Sequence, residues 1–391
     1  MVSERTAGAP LAADPVAAPA RQQPQWPDPA AARRVREELA RRPPLVAEAE
    51  VAALRAALAE VALGRARVVQ AGDCAEDPDR CGPRDVRAKA DQLDRLAAVV
   101  RERTGRPVLR IGRIAGQFAK PRSHPTERIG DLELPAYRGP MVHGPRPDTA
   151  DRVADPRRMA LCHDRSARVL AQLRARGRTG GDEVWTSHEA LVLDYELPQV
   201  RPADAGGLLL TSAHLPWVGE RTRQPGGAHV RLLASVRNPV ACKVGPTTSE
   251  AELLELCSVL DPCREPGRLT LIARMGADRV LGALPPLVRA VRAQGHPVVW
   301  LCDPVHGNTS RAPDGRKTRV VTAVVRELEH FQDTVLAHGG AAGGLHLETT
   351  PDEVAECVWS ADQLPGQPYT TLCDPRLNPA QAVDVALAWI A

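Results

Sequence analysis

Eight short apolar runs follow residue 65, and nearly every one ends in a polar cluster. They read RVVQAGD, PVLRIGRIA, VWTSHE, GLLLTSAH, ACKVGP, LTLIARMG, PVVWLCDP and GLHLE. Near-continuous apolar runs are what parallel strands covered on both faces carry. Helical periodicity separates most of them, over 85–103, 250–260, 280–294 and 317–337. Eight strands alternating with helices predict an α/β fold, a (β/α)8 TIM barrel. An open doubly wound sheet is the alternative, and the regular count favours the barrel. The polar clusters add to that, because barrel enzymes gather their chemistry at the C-terminal strand ends. Asp73, Cys74, Arg113, Ser187, His188, Lys243, Arg274, Asp303, His306 and Glu348 all fall there.

Two further helices are expected before the barrel. The segment 28–43 opens on Pro and Asp and stops at a Pro pair. The segment 48–63 carries apolar residues at three- and four-residue spacing. The chain thus divides into an N-terminal helical extension, 1–65, with a disordered Ala/Pro-rich start, and a catalytic barrel, 66–391. The stretch 116–164 is poorly periodic and rich in Pro and Gly, which marks a functional loop at the strand-end face. The stretch 164–183 leaves room for one short helix. The tail TLCDPRLNPAQAVDVALAWI reads as a loop and a closing helix.

Composition excludes several classes. Lys and Arg number 51 against 48 Asp and Glu, a net charge of +3. That balance speaks against a nucleic-acid partner. No apolar run approaches the roughly 20 residues that span a bilayer. The N-terminus has no signal-peptide core. A cytoplasmic protein with no membrane partner is expected. The nine cysteines form no CxxC pair, so reduced, mostly buried thiols are expected.

Two constellations carry chemistry. Cys74, His306, Glu348 and Asp374 are one thiol, one imidazole and two carboxylates, a mixed set suited to a divalent first-row metal. Their spacing does not show convergence, and on composition alone the favoured reading is a core cysteine and a loop histidine. The acidic neighbours Asp73 and Glu76 raise a thiol pKa and speak against a nucleophile. A metal reverses that logic by deprotonating the thiol. The second constellation is Arg113, Lys120, Arg122, Arg221, Arg223, Lys243 and Arg274, at or just beyond strand ends. Such cations match phosphate and carboxylate oxygens and predict an anionic, phosphorylated substrate. Solvated surface charge is the plain alternative, weakest for Lys243 within the apolar VACKVG. WTSHEALVLDYE is not HExxH, because Val192 stands where the second His belongs, and no GxSxG elbow occurs.

Taken in order, QAGDCAE, RIGRIAGQFAKPRS, LPAYRG, TSHEALVLDYE, GERTRQPGGAHV, NPVACKVGPT, ARMGADRV, WLCDPVHGNT, GGLHLE and LCDPRLN complete a pattern. The chain resembles the class II (plant-type) 3-deoxy-D-arabino-heptulosonate 7-phosphate (DAHP) synthases. The resemblance implies a metal-dependent (β/α)8 barrel. Such enzymes condense phosphoenolpyruvate with erythrose 4-phosphate, the first step of the shikimate pathway and of aromatic amino acid biosynthesis. It assigns metal ligation to Cys74, His306, Glu348 and Asp374, with Mn2+ or Co2+ favoured over Zn2+ or Fe2+. It assigns phosphoenolpyruvate contacts to Arg113, Trp217, Glu220, Arg221, Lys243 and Arg274. The sugar phosphate falls near Lys120 and Ser123. Catalytic roles fall to Lys243, Glu220, Cys74 and His306. A homo-oligomer, a dimer with the extension at the subunit contact, and a chorismate mutase partner are further implications.

Two features depart from the family pattern. In YRGPMVHG, Pro140 and His143 replace an acidic residue and an Asn. The segment before WTSHEA lacks the extra helices of feedback-regulated relatives. Weak or absent aromatic amino acid feedback is therefore expected, as in supply of secondary metabolism. Two alternatives stand beside the synthase. One is an aminoDAHP synthase using an imino or amino tetrose phosphate for aminohydroxybenzoate biosynthesis. The other is a catalytically silent paralogue acting as an interaction partner, against which the full metal set stands.

Overall fold

Eight parallel strands close into a barrel in which neighbours in sequence are neighbours in space. The structure is a computed structural model, and it describes residues 18–391. The disordered start expected near the N-terminus lies outside the described residues. The strands are β1 Arg67–Gly72, β2 Val108–Arg113, β3 Val184–Glu189 and β4 Leu215–Val218. They continue with β5 Val240–Val244, β6 Leu269–Ala273, β7 Val299–Cys302 and β8 Ala341–Glu348. Closure is between β1 and β8, with Val68 opposite Gly344 and Gly72 opposite Glu348.

Seven of the eight apolar runs supply a barrel strand, and GLLLTSAH does not. Leu208–Leu210 pairs antiparallel with Val200–Pro202 in a small ribbon outside the barrel. Its Leu209 and Leu210 join the main core, which explains the run's apolar character. The true fourth strand follows it and carries Pro216. Proline gives no N–H to a ladder and so reads against a strand. β4 is correspondingly short, and only Trp217 and Val218 pair with β5.

The outer helices are Pro83–Thr104, Arg157–Arg178, Ala228–Ser235, Glu250–Leu260, Val280–Ala293, Val321–Ala337 and Pro379–Leu387. Three expectations change in detail. The segment 317–337 opens as a strand, Lys317–Arg319, paired with Thr309–Arg311. There the long cationic side chains are drawn to Asp374 and to the buried Glu348 rather than to a helix face. The stretch 116–164 holds a hairpin, Thr126–Ile129 with Leu132–Pro135. Its last residues already belong to a 22-residue helix, not a short one. Met159, Cys162, Val169, Leu170 and Leu173 of that helix are buried at helical spacing among many arginines.

In the β3–β4 connection the α-helix is only four residues long, Leu193–Glu196, ahead of the 200–210 ribbon. The extension fills that place. Val35 and Leu39 of Pro29–Arg41 pack with Met159, Cys162, Leu191, Val192 and Tyr195. The next helix, Glu48–Ala62, sends Leu54, Leu58 and Val61 against Val68, Ile111, Trp185 and Val299 of the barrel interior. Each such burial stabilises by about 1.5–3 kcal/mol. The first helix is thus part of the wall and the second a plug.

The seam beside β8 is where backbones approach most closely. The β7–β8 register shifts between Trp300 and Leu301. Gly344 has φ +149°, and a Cβ there would stand 1.9 Å from the Val68 carbonyl oxygen. Gly344→Ala is expected to destabilise the fold by about 2–3 kcal/mol, read as a lower urea midpoint. An unchanged midpoint would show that the seam relaxes freely.

Candidate functional site

The strand ends of the barrel open into a cavity of about 910 Å³, the size of a small-ligand site. Lys120, Ser123, Glu220, Arg221, Lys243, Arg274, His306 and Asp374 line it. Cys74 and Glu348 lie just beneath, 1% and 0% exposed. Arg113 and Trp217 do not line the cavity. Both are buried, with the guanidinium 5.4 Å above the indole ring.

Three of the four proposed metal ligands converge although they span 300 residues, and His306 joins them through Glu348. Ligand atoms of Cys74, Glu348 and Asp374 lie within 4.8 Å of one another. The Asp374 amide donates to Cys74 Sγ at 3.3 Å. His306 Nε2 stands 3.0 Å from Glu348 Oε1, and its Nδ1 stands 2.8 Å from Asp303. That second contact is the carboxylate–imidazole pairing that orients metal-binding histidines. Burial pushes the Cys74 thiol well up, helped by its bond to Cys373 and by the Glu348 charge. Burial also opposes ionisation of Glu348 and Asp374. The charges of His306, Lys120, Arg319 and Arg113 around Glu348, and of Lys120, Lys317 and Arg319 around Asp374, hold both well below the carboxylate range. A high thiol among ionised acids fits a divalent cation, which would draw off the thiol proton.

Glu348 is the most contacted of these groups. It accepts from Arg113 Nη2 at 2.9 Å and Arg319 Nη2 at 2.7 Å, and Lys120 Nζ stands at 3.2 Å. A chain of hydrogen bonds fixes Arg113 from behind. Its Nη1 donates to His346 Nε2 at 2.7 Å. The imidazole proton therefore sits on Nδ1 and goes to Gln70 Oε1 at 2.8 Å. Gln70 in turn donates to Ser187 Oγ at 3.0 Å, and Ser187 to the Gly112 carbonyl at 2.9 Å. Burial, then the charges of Lys243 and Arg113, keeps His346 neutral.

The remaining cations are held the same way. Lys243 pairs with Asp303, and burial brings its ammonium down to about 8 against that partner's pull. Arg274 pairs with Glu220, and Arg221 donates to Ser123 Oγ. Lys317, which sequence reasoning missed, reaches Asp374 at 2.7 Å. Sequence reasoning also missed Arg319, which meets Glu348, and His346, which meets Arg113. Asp303 was noted at a strand end without a role; its signal is the i,i+3 spacing to His306 in CDPVH. Nothing in the sequence marks Lys317 or Arg319, which fall in an expected helix.

A buried ionic clamp ties the loops together. Arg376 donates to Asp73 at 3.0 Å and to Glu356 at 2.7 Å. Lys89 bridges Asp73 at 3.3 Å and Glu76 at 3.1 Å. Glu76 accepts from the amides of Gly116 and Gln117. The clamp joins the residue before Cys74, the loop leading to Lys120, and the loop of Asp374. Arg376→Met leaves the buried Glu356 without its cation and Asp73 with Lys89 alone. A loss of about 3–5 kcal/mol is expected, measured by chemical unfolding. A change below about 1 kcal/mol would show that the clamp is dispensable.

Comparison with known proteins gives this geometry a family. The family model described as the class-II DAHP synthetase family matches residues 13–184 and 176–390. A protein of Pseudomonas fluorescens named "Probable phospho-2-dehydro-3-deoxyheptonate aldolase" is 52% identical over 377 residues, covering 95% of this chain and 94% of its own. A phospho-2-dehydro-3-deoxyheptonate aldolase of Streptomyces coelicolor is 40% identical, covering 94% of each chain. The solved phospho-2-dehydro-3-deoxyheptonate aldolase of Francisella tularensis has a similar fold. Its TM-score is 0.55 at 13% identity, over 91% of this chain and 95% of that one. With its closed eight-strand barrel and matches across its length, this chain belongs to the class-II DAHP synthetase family.

Proposed function

We propose that this protein is a metal-dependent DAHP synthase, condensing phosphoenolpyruvate with erythrose 4-phosphate to give DAHP and phosphate. One observation carries the reading. A thiol, an imidazole and two carboxylates gather at a cavity that Lys243, Arg221 and Arg274 also line. A donor set beside a cationic cradle is what joining a phosphorylated enol to an aldehyde requires.

The residues divide the work by chemistry. Arg221, Arg274 and Lys243 hold the phosphate and carboxylate of phosphoenolpyruvate, and Glu220 fixes the Arg274 fork. Arg113 and Trp217 act from below, as the floor that sets Glu348. Lys120 and Ser123 receive the sugar phosphate, which brings the aldehyde to the enol face. Cys74, His306, Glu348 and Asp374 would hold the divalent metal, Mn2+ or Co2+. When bound, it supplies Lewis acidity toward the aldehyde oxygen. Lys120 stands 3.2 Å from both Glu348 and Asp374 and balances their charge on the cavity side.

The tetrose is the less determined substrate. Tyr137 lines the cavity, and the unusual His143 packs edge-on against it at 5.4 Å. An aminated tetrose phosphate is therefore the second reading, separated by assaying both aldehydes. Assembly as a dimer and pairing with a chorismate mutase rest on the family resemblance alone. Among the described residues no helix is long and apolar enough to cross a membrane.

Phosphate release is expected only with phosphoenolpyruvate and the tetrose phosphate together, and it should stop on chelation and resume with Mn2+ or Co2+. Cys74→Ser should lose at least about 100-fold in rate along with bound metal by elemental analysis. Full turnover of chelated protein would defeat the metal assignment. One helix, Arg157–Arg178, stands between the Thr126–Pro135 hairpin and β3, which supports an unregulated enzyme serving secondary metabolism. Millimolar phenylalanine, tyrosine and tryptophan should leave the rate unchanged, and strong inhibition would contradict that reading.

A further inference from the structure

Four carboxyl side chains line the cavity: Glu127, Glu189, Glu220 and Asp374. Three of them are ion-paired. Glu127 meets Arg122 at 2.6 Å and Arg152 at 2.8 Å. Glu220 meets Arg274, and Asp374 meets Lys120 and Lys317 at 3.2 and 2.7 Å. Each of these three carboxylates is engaged by at least one cation. Glu189 differs. Among the described residues no cation stands within 4.0 Å of it, and its Oε1 is buried with no hydrogen-bond partner.

Its placement is set by the barrel. Glu189 ends β3, opposite Trp217 of β4, and its amide donates to Gln117 Oε1 at 3.0 Å. Its carboxyl lies over Gly219, where a Cβ would come within 2.1 Å of Oε1. Only glycine leaves room for the side chain to lean into the cavity.

We propose that Glu189 is the catalytic proton carrier of the condensation, giving a proton to the aldehyde oxygen and recovering one from the water that adds to carbon 2. The assignment rests on the condensation proposed above. Burial pushes the Glu189 carboxyl up, opposed at longer range by Lys120, Lys243, Arg221 and Arg113. Glu220, just past the end of the next strand, lines the same cavity. Bound phosphate and carboxylate groups engage Lys120, Lys243 and Arg221 and reduce their pull, which favours the protonated acid further.

The bookkeeping closes. The π electrons of phosphoenolpyruvate form the new bond from carbon 3 to the aldehyde carbon. The carbonyl π pair moves to the aldehyde oxygen, which takes the Glu189 proton and becomes the hydroxyl. Water adds its lone pair at carbon 2 and returns a proton to the Glu189 carboxylate. The bond from carbon 2 to the phosphate oxygen then breaks with its pair on phosphate. Phosphate takes the proton of the carbon 2 hydroxyl and leaves a ketone. Glu189 ends as it began.

The test compares wild type with Glu189→Gln and Glu189→Asp, measuring kcat, the KM for phosphoenolpyruvate and bound metal. Glutamine keeps the shape and cannot exchange the proton. A fall of at least about 100-fold in kcat is expected, with KM and metal content within about threefold. Aspartate keeps the acid on a shorter arm and should regain at least about tenfold over glutamine. A glutamine variant within about threefold of wild-type kcat overturns the proposal. Loss of KM or metal together with kcat overturns it too, because that marks a structural role. If the glutamine variant does not fold, aspartate decides: unchanged kcat overturns, and a loss of about tenfold at unchanged KM supports. Wild-type protein that releases no phosphate defeats the condensation itself, and this role with it.

Discussion

A fully buried carboxylate, Glu348, sets the terms for the mouth of this barrel. An unpaired charge at 0% exposure would be prohibitively costly. It is met by Arg113 from β2, Lys120 from the following loop, His306 beyond β7 and Arg319 from the 309–319 hairpin. The first of these pairings depends on a glycine. Gly72 lies opposite both Glu348 and Arg113 in the β1 register. A Cβ on Gly72 would stand 2.7 Å from the Arg113 carbonyl oxygen. With no side chain between them, the flanking strands bring acid and guanidinium together over β1.

Each partner of Glu348 carries the constraint outward. His306 passes it to Asp303 and thence to Lys243. Arg113 passes it to His346, Gln70 and Ser187 across the barrel interior. Lys120 passes it to Asp374 and Lys317. Buried networks are favourable only when fully satisfied, and then they fix one arrangement. The cations that face the cavity are therefore oriented before any ligand arrives. Electrostatic stabilisation works best from groups already in place.

How much of this was legible in the sequence depends on what kind of signal each residue carries. Strands covered on both faces read as apolar runs, so seven of eight appeared at their places. β4 did not, because Pro216 disguised it and the neighbouring Leu208–Leu210 ribbon imitated it. Lys243 stood out because a lysine inside VACKVG has to be paired. Cys74 and Asp374 could be grouped by ligand type, but only the resemblance assigned them to one site, since 300 residues separate them and no local spacing joins them. Arg319 and Lys317 were invisible, because a hairpin rather than a helix aims them inward. Glu189 sat beside a discarded HExxH comparison. Its distinction is the absence of a partner, which only three-dimensional placement reveals.

The separation of Cys74 from Asp374 explains the clamp around Arg376. Bringing two distant loops into one coordination sphere costs conformational entropy, at about 1–2 kcal/mol per residue ordered. A metal alone would have to supply that on binding, at the expense of its affinity. Here Arg376, Asp73, Glu356, Lys89 and Glu76 are all buried and mutually paired. They order the loops during folding, when the cost is shared with the whole core. The ligand atoms of Cys74, Glu348 and Asp374 then already lie within 4.8 Å of one another, and for the metal proposed above binding energy would go to discriminating the ion rather than to assembling its site.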